Sequence, residues 1–332
     1  MRRLLALSVL TVLLVSCAPS APEATPRSLP TVTETAAATV TLAPATQTVI
    51  APTGTVTATS TPTLMVIHTC GESESACILD GHFLFQRPIG LGGKQSIEQS
   101  YPYGNTQGGT REPHHGVEFY NAQGTPVLAA ADGKVVFAGN DKLTLLSWVT
   151  GYYGNVVVIE HHFPGFPQTF YTLYAHQFKI NVTAGQMVKA GEQIGQVGAT
   201  GTAIGSHLHF ELRVTHDDYK SSRNPELWLA PLPDTGMLAG RIVDGQGAPL
   251  KGAVNFQRIV GGVLDATSVA SAETYANESQ PVNGDDTWHE NFAVGGLAAG
   301  DYRLTLLYNG LVYEQVIKIE PGKLTLVTFI LK

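Results

Sequence analysis

The chain has 332 residues, a formal net charge of −7 and only 14% charged residues. That length leaves room for more than one folded domain. The acidic balance, with no basic stripe interleaved with aromatics, lacks the electrostatic footprint of a phosphate-backbone binder, so nucleic acid is excluded as a partner.

At the N-terminus Arg2 and Arg3 precede an apolar run at residues 4–15, and Leu14-Val15-Ser16-Cys17 then places small residues before a cysteine. The run is about 12 residues, short of the ~20 that a membrane-spanning helix requires, so residues 1–17 read as a signal peptide ending in a lipobox. The pattern resembles bacterial lipoproteins, which implies cleavage before Cys17, acylation of that residue, and a lipid-anchored, extracytoplasmic protein of the cell envelope. Residues 18–65 are rich in Thr, Ala and Pro with few charges and no apolar period, the composition of a disordered stalk. With Cys17 committed, Cys70 and Cys77 are left to each other, and outside the cytoplasm a disulfide is the default for such a pair. Closing so short a loop contributes about 2.5 kcal/mol at most.

The chemistry-bearing residues begin at His114-His115-Gly116-Val117-Glu118, where a histidine and a carboxylate bracket a glycine before a strand-like run. Short β-rich runs at 135–138, 156–159 and 170–173 follow, separated by turn signals such as Asp132-Gly133 and Gly139-Asn140. His176 stands after the third of them, in Tyr174-Ala175-His176. Then comes Gly205-Ser206-His207-Leu208-His209-Phe210-Glu211, in which Leu208, Phe210 and Leu212 alternate with His207, His209 and Glu211. On a strand this puts the apolar set towards a core and both imidazoles on one face of a cleft. A catalytic zinc site uses three nitrogen or oxygen ligands and keeps one position open, and His114, Glu118 and His209 supply such a set. His207 shares the strand face of His209, and Glu211 follows on that face as either an orienting partner of a ligand or an exposed strand carboxylate. His115, His161 and His162 read as packing or solvent-facing residues.

These motifs, with the stretch from Gly124 to Val135 and the segment around Ala190-Gly191-Glu192, resemble the lysostaphin-type, or LytM-like, zinc metalloendopeptidases that cut peptide bonds in bacterial peptidoglycan. The resemblance covers about residues 83–229 and assigns residues 66–230 to a peptidase domain of antiparallel sheets with a narrow groove. It implies Zn2+ as cofactor, His114 and His209 as ligands, His176 and His207 as catalytic histidines that do not bind the metal, and peptidoglycan peptides as substrate. The remaining metal position is an aspartate in that family and Glu118 here, a methylene longer by about 1.5 Å. A folded module that binds wall peptides without cutting them, as a scaffold or activator of another hydrolase, is the alternative. Segments 90–109 and 142–155 are the expected groove walls.

After Pro231-Leu232-Pro233, alternating runs at 237–243, 253–258, 302–308, 312–319 and 324–331, broken by turns such as Asn309-Gly310, predict a small β-sandwich over residues 236–332. It resembles the carboxypeptidase-regulatory-like, prealbumin-type sandwich, which implies no chemistry and leaves a role as spacer or as contact to the wall and other cell-wall proteins. The whole is expected to be mainly β.

Overall fold

Alternation of apolar and polar side chains fixes the first sheet. The computed structural model, which describes residues 70–71, 74–275 and 280–332, forms a strand at His207–Val214 whose Leu208, Phe210 and Leu212 enter a core with Val117, Phe119 and Tyr174. The expected signal peptide at 1–17 with Cys17, and the stalk at 18–65, lie outside the described residues. Alternate side chains of a strand face opposite ways, which leaves His207, His209, Glu211 and Arg213 on the other side. That side was expected to line an open cleft. His207 and His209 do border a groove, but none of the four is more than 5% exposed, because Leu146, Tyr153 and Tyr219 pack over this face with Val156, Val158 and Leu173 of the neighbouring strands.

The strand belongs to a seven-stranded antiparallel sheet ordered Ser222–Arg223, His207–Val214, Phe170–Ala175, Asn155–His161, Gly133–Asn140, Met187–Val188. Val117–Tyr120 pairs with the first half of His207–Val214. Runs such as Val156-Val157-Val158-Ile159 suit a strand because β-branched side chains pack well on a pleated surface. A three-stranded sheet of Pro126–Leu128, Gln193–Gln196 and Lys179–Ile180 adds Val127 and Ile194 to the same core.

Two further sheets face each other in the C-terminal part. One runs Ala76–Leu79, Leu324–Leu331, Thr235–Asp244, Phe292–Ala298. The other runs Val263–Leu264, Ala253–Val260, Gly300–Tyr308, Leu311–Ile319, with Ala270–Glu273 also on Ala253–Val260. Leu238, Ile242, Phe256, Phe292, Leu304 and Phe329 fill the space between them. The last hairpin turns at Asn309-Gly310, whose φ values of 49° and 79° are those of a tight turn that asparagine and glycine tolerate. The molecule is therefore mainly β, as its sequence implies, with antiparallel pairing of its described strands throughout except between Thr235–Asp244 and Leu324–Leu331, which run parallel.

One pairing crosses the expected division of the chain. Ala76–Leu79 precedes the seven-stranded sheet in sequence yet pairs with Leu324–Leu331, Ala76 opposite Val327. The Cys70–Cys77 disulfide forms at this strand, its Cα atoms 5.5 Å apart. Close by in the chain, His82 is stacked between Trp228 at 4.2 Å and Trp288 at 4.0 Å, joining the first part of the molecule to the C-terminal sheets.

Candidate metal centre

Strand register brings the first two polar groups together. His209 lies directly opposite Glu118 in the antiparallel pair, so both side chains rise from the same face. His114 arrives from the loop leading into the Val117–Tyr120 strand. Gly116 lets that loop come close, since a Cβ there would lie 2.5 Å from the Phe210 carbonyl oxygen and 2.8 Å from His209 Cε1. Three ligand-type atoms converge as a result. His114 Nε2 is 3.2 Å from His209 Nδ1 and 3.0 Å from Glu118 Oε1, and His209 Nδ1 is 3.1 Å from the same oxygen.

The far side of each imidazole is held, which fixes the nitrogen that faces inward. His114 Nδ1 donates to the Tyr101 carbonyl at 2.6 Å, and the Tyr101 ring stacks on it at 4.1 Å, so the lone pair is on Nε2. His209 Nε2 donates to Glu211 Oε1 at 3.0 Å, leaving the lone pair on Nδ1. Glu211 is fully buried rather than exposed; Arg213 Nε donates to it at 2.9 Å and the Tyr153 hydroxyl donates to it as well. Burial alone would raise the Glu211 carboxyl, but Arg213 and His209 bring it down to about 2. Burial likewise opposes ionisation of Glu118, and His209 and His114 beside it nevertheless hold it well below the usual range.

Acceptor atoms facing one another repel unless positive charge sits among them. His209 shows that demand: burial would lower it, yet Glu118 and Glu211 raise it to about 9. Glu118 Oε2 is buried without a hydrogen bond, although His207 Nε2 lies 3.1 Å away. His114, Glu118 and His209 could thus hold a metal ion, for which two imidazole nitrogens and a carboxylate are a fitting donor set.

His176 and His207 stand beside this triad with ring centres 4.9 Å apart. His176 ends the Phe170–Ala175 strand at φ 60°, a left-handed conformation few residues other than glycine adopt, and its Nδ1 donates to the Thr200 carbonyl at 2.8 Å. His207 Nδ1 donates to the Gly205 carbonyl at 3.1 Å. Burial pushes His176 down to about 3 and also lowers His207, so both are neutral at pH 7. Both line a groove of about 260 Å³ whose walls include Tyr101, Arg111, Trp148, Tyr152 and Ile204. The expected wall at 142–155 supplies Trp148 and Tyr152. Of the expected wall at 90–109 only Tyr101 reaches the groove, and 202–204 forms a side not anticipated.

The other histidines are turned elsewhere. His115 stacks on Tyr219 at 3.6 Å, and His161 is sealed at its strand end between the Asp132 carbonyl and Thr172 Oγ1. Sequence reasoning missed Tyr101, Tyr153, Thr200 and Arg213. Arg213 was legible as the fourth polar member of the series 207, 209, 211, 213. Tyr101 and Thr200 act on the histidines through backbone carbonyls, which no residue type announces.

The groove thus carries at its floor a donor set that could hold a metal ion. Residues 112–222 match Peptidase family M23, and this part of the chain belongs to that family. Over 102 residues it is 42% identical to the peptidoglycan DD-endopeptidase ShyA of Vibrio cholerae, covering 31% of this chain and 20% of that protein. Over 112 residues it is 37% identical to the lipoprotein YgeR of Escherichia coli, covering 34% and 38% respectively. The solved catalytic domain of the antimicrobial peptidase lysostaphin from Staphylococcus simulans is 32% identical, with 39% of this chain and 88% of that one covered and a TM-score of 0.32. The chain spans 15–24% of the length of the first curated relatives it matches.

Proposed function

We propose that the chain is a zinc endopeptidase hydrolysing peptide bonds in peptidoglycan stem peptides or cross-bridges. The observation that carries this reading is the convergence of His114 Nε2, Glu118 Oε1 and His209 Nδ1 within 3.2 Å of one another, beside two neutral histidines. Zinc held there supplies Lewis acidity, acidifying a water and polarising the scissile carbonyl.

The chain's own groups supply proton transfer and orientation. His176 and His207, each with Nδ1 tied to a carbonyl, present Nε2 as an acceptor, so either can take a proton from an attacking water and return it to the leaving amine. In that tautomer the partner that stays neutral accepts from the water and aims it. An open groove flanked by Trp148 and Tyr152 suits an extended peptide.

The non-cutting scaffold reading rests on Glu118 in the place of an aspartate. Its carboxylate still reaches both imidazole nitrogens, at 3.0 and 3.1 Å, which supports a working site. We place the protein in the cell envelope with a lipid anchor at Cys17, where Cys17→Ala moves it from the membrane to the soluble fraction. We also assign wall or partner contact to the C-terminal sheets.

Zinc content and muropeptide release of the purified protein test the reading, with Glu118→Ala, Glu118→Asp and His207→Ala alongside. About one zinc per chain with cleavage, both lost in Glu118→Ala and only cleavage lost in His207→Ala, is the expected result. A wild-type chain without zinc or cleavage, in which Glu118→Asp gains both, gives the scaffold reading instead.

A further inference from the structure

The loop that carries His114 is supported from outside by the C-terminal sheets. Within the loop, Gly104 N donates to the His114 carbonyl at 2.8 Å and His114 N donates to the Asn105 carbonyl at 3.1 Å, so residues 103–105 are a backbone cradle for the histidine. Each of these three meets the C-terminal part of the chain. The buried Tyr103 hydroxyl donates to the Asn283 carbonyl at 3.0 Å and accepts from Asn283 N at 3.2 Å. Gly104, at φ 75°, has the Tyr275 ring where a side chain would be, 2.7 Å from an ideal Cβ. Asn105 Nδ2 donates to Glu273 Oε2 at 2.8 Å. On the other flank, His115 Nε2 is 3.2 Å from the Gln280 carbonyl.

We propose that the C-terminal sheets form part of the support of the metal centre, with Tyr103, Tyr275 and Asn283 as positioning residues that hold the 103–105 cradle and through it His114. The inference rests on the metal-site reading above. It gives the C-terminal part a role beyond spacing: a two-sheet unit whose Glu273, Tyr275 and Asn283 complete a ligand loop in another sheet. Hydrogen-bonded partners behind a metal ligand typically set its affinity by 10–100-fold, and here the partners come from a distant part of the chain.

The full-length wild type, Tyr103→Phe, Tyr275→Ala, Tyr275→Phe and His82→Ala are titrated with Zn2+ against a chromophoric chelator. Their Co2+ absorption spectra and the melting temperatures of the metal-free proteins are recorded in parallel. Tyr103→Phe and Tyr275→Ala are expected to bind zinc about 10-fold more weakly or worse with altered Co2+ spectra, and Tyr275→Phe, which keeps the ring over Gly104, to recover. His82→Ala breaks the stack between Trp228 and Trp288 without touching the loop, so it melts lower but keeps its zinc affinity. Wild-type affinity and spectrum in Tyr103→Phe overturn the proposal even where Tyr275→Ala does not fold. So does a loss of affinity in His82→Ala that tracks melting temperature as in the other variants. A wild-type chain that takes up no zinc overturns the metal-site reading, and this inference with it.

Discussion

The groove cluster and the cluster where the C-terminal sheets meet the rest of the molecule are built from the same materials: buried histidine, buried carboxylates and stacked aromatic rings. In the second, Asp285 Oδ1 accepts from Thr287 N at 2.8 Å and lies 3.3 Å from His82 Nε2, and the carboxylate of Glu290 accepts from the Tyr275 hydroxyl at 2.9 Å and from Asp285 N at 2.7 Å. Every carboxylate oxygen named there meets a donor. In the groove, three atoms that are all acceptors when both imidazoles are neutral meet one another, and only an added cation, proton or metal, relieves them. Burial and residue type are shared, so the direction of the lone pairs separates a site that demands a cation from a polar joint that demands nothing.

The sharpest way to break this comparison is to remove one histidine from each cluster. His114→Ala is expected to abolish metal uptake and peptide cleavage, whereas His82→Ala leaves cleavage of the metal-loaded protein within about twofold of wild type while lowering stability by a few kcal/mol, on the order of other large-to-small core changes. Equal losses of activity would show that the two clusters do not differ as argued. Next in size, His176→Ala should retain the metal and lower the cleavage rate by about 10²–10⁴-fold, read as kcat at saturating metal. Smaller again, Glu211→Gln keeps a polar partner for His209 but removes the charge, with a 10–100-fold weaker zinc affinity expected by competition titration.

The smallest effect belongs to the joint. Burial first, and Asp285 second, raise Glu290 to about 8. Between pH 7 and 9 this carboxyl loses its proton in the folded chain while the unfolded chain is already ionised, so the folded state binds the extra proton and stability falls as pH rises. The loss is on the order of 1 kcal/mol over that interval. Glu290→Gln should flatten it, and denaturant midpoints across pH 7–9 that decline as steeply as wild type would count against the assignment.

Much of the groove was legible because strand register converts spacing into direction. His207 and His209 two apart needed only the alternation of a β-strand to be placed on one face, whereas the register that sets Glu118 opposite His209 is seen only in the fold. The loops were not legible in the same way. Nothing in the composition of 90–109 shows that Tyr101 lies under His114 while the residues before it stay out of the groove, and 202–204 carries no signal of its own. Distance along the chain hid the rest. The run Ala76-Cys77-Ile78-Leu79 gives no hint that its partner is Leu324–Leu331, and His115 reads as a bystander until the Gln280 carbonyl is found beside it.

That first strand also constrains the order in which the molecule assembles. Ala76–Leu79 and Leu324–Leu331 are neighbours in space but lie near opposite ends of the described chain, and so remote a contact stabilises nothing until the entropy of closing the intervening loop has been overcome. The strand is therefore expected to dock late, after the sheets between have formed. In the interval Leu324–Leu331 presents an open edge, the kind of surface that recruits other chains. Refolding should accordingly show a slow final phase whose yield falls with protein concentration.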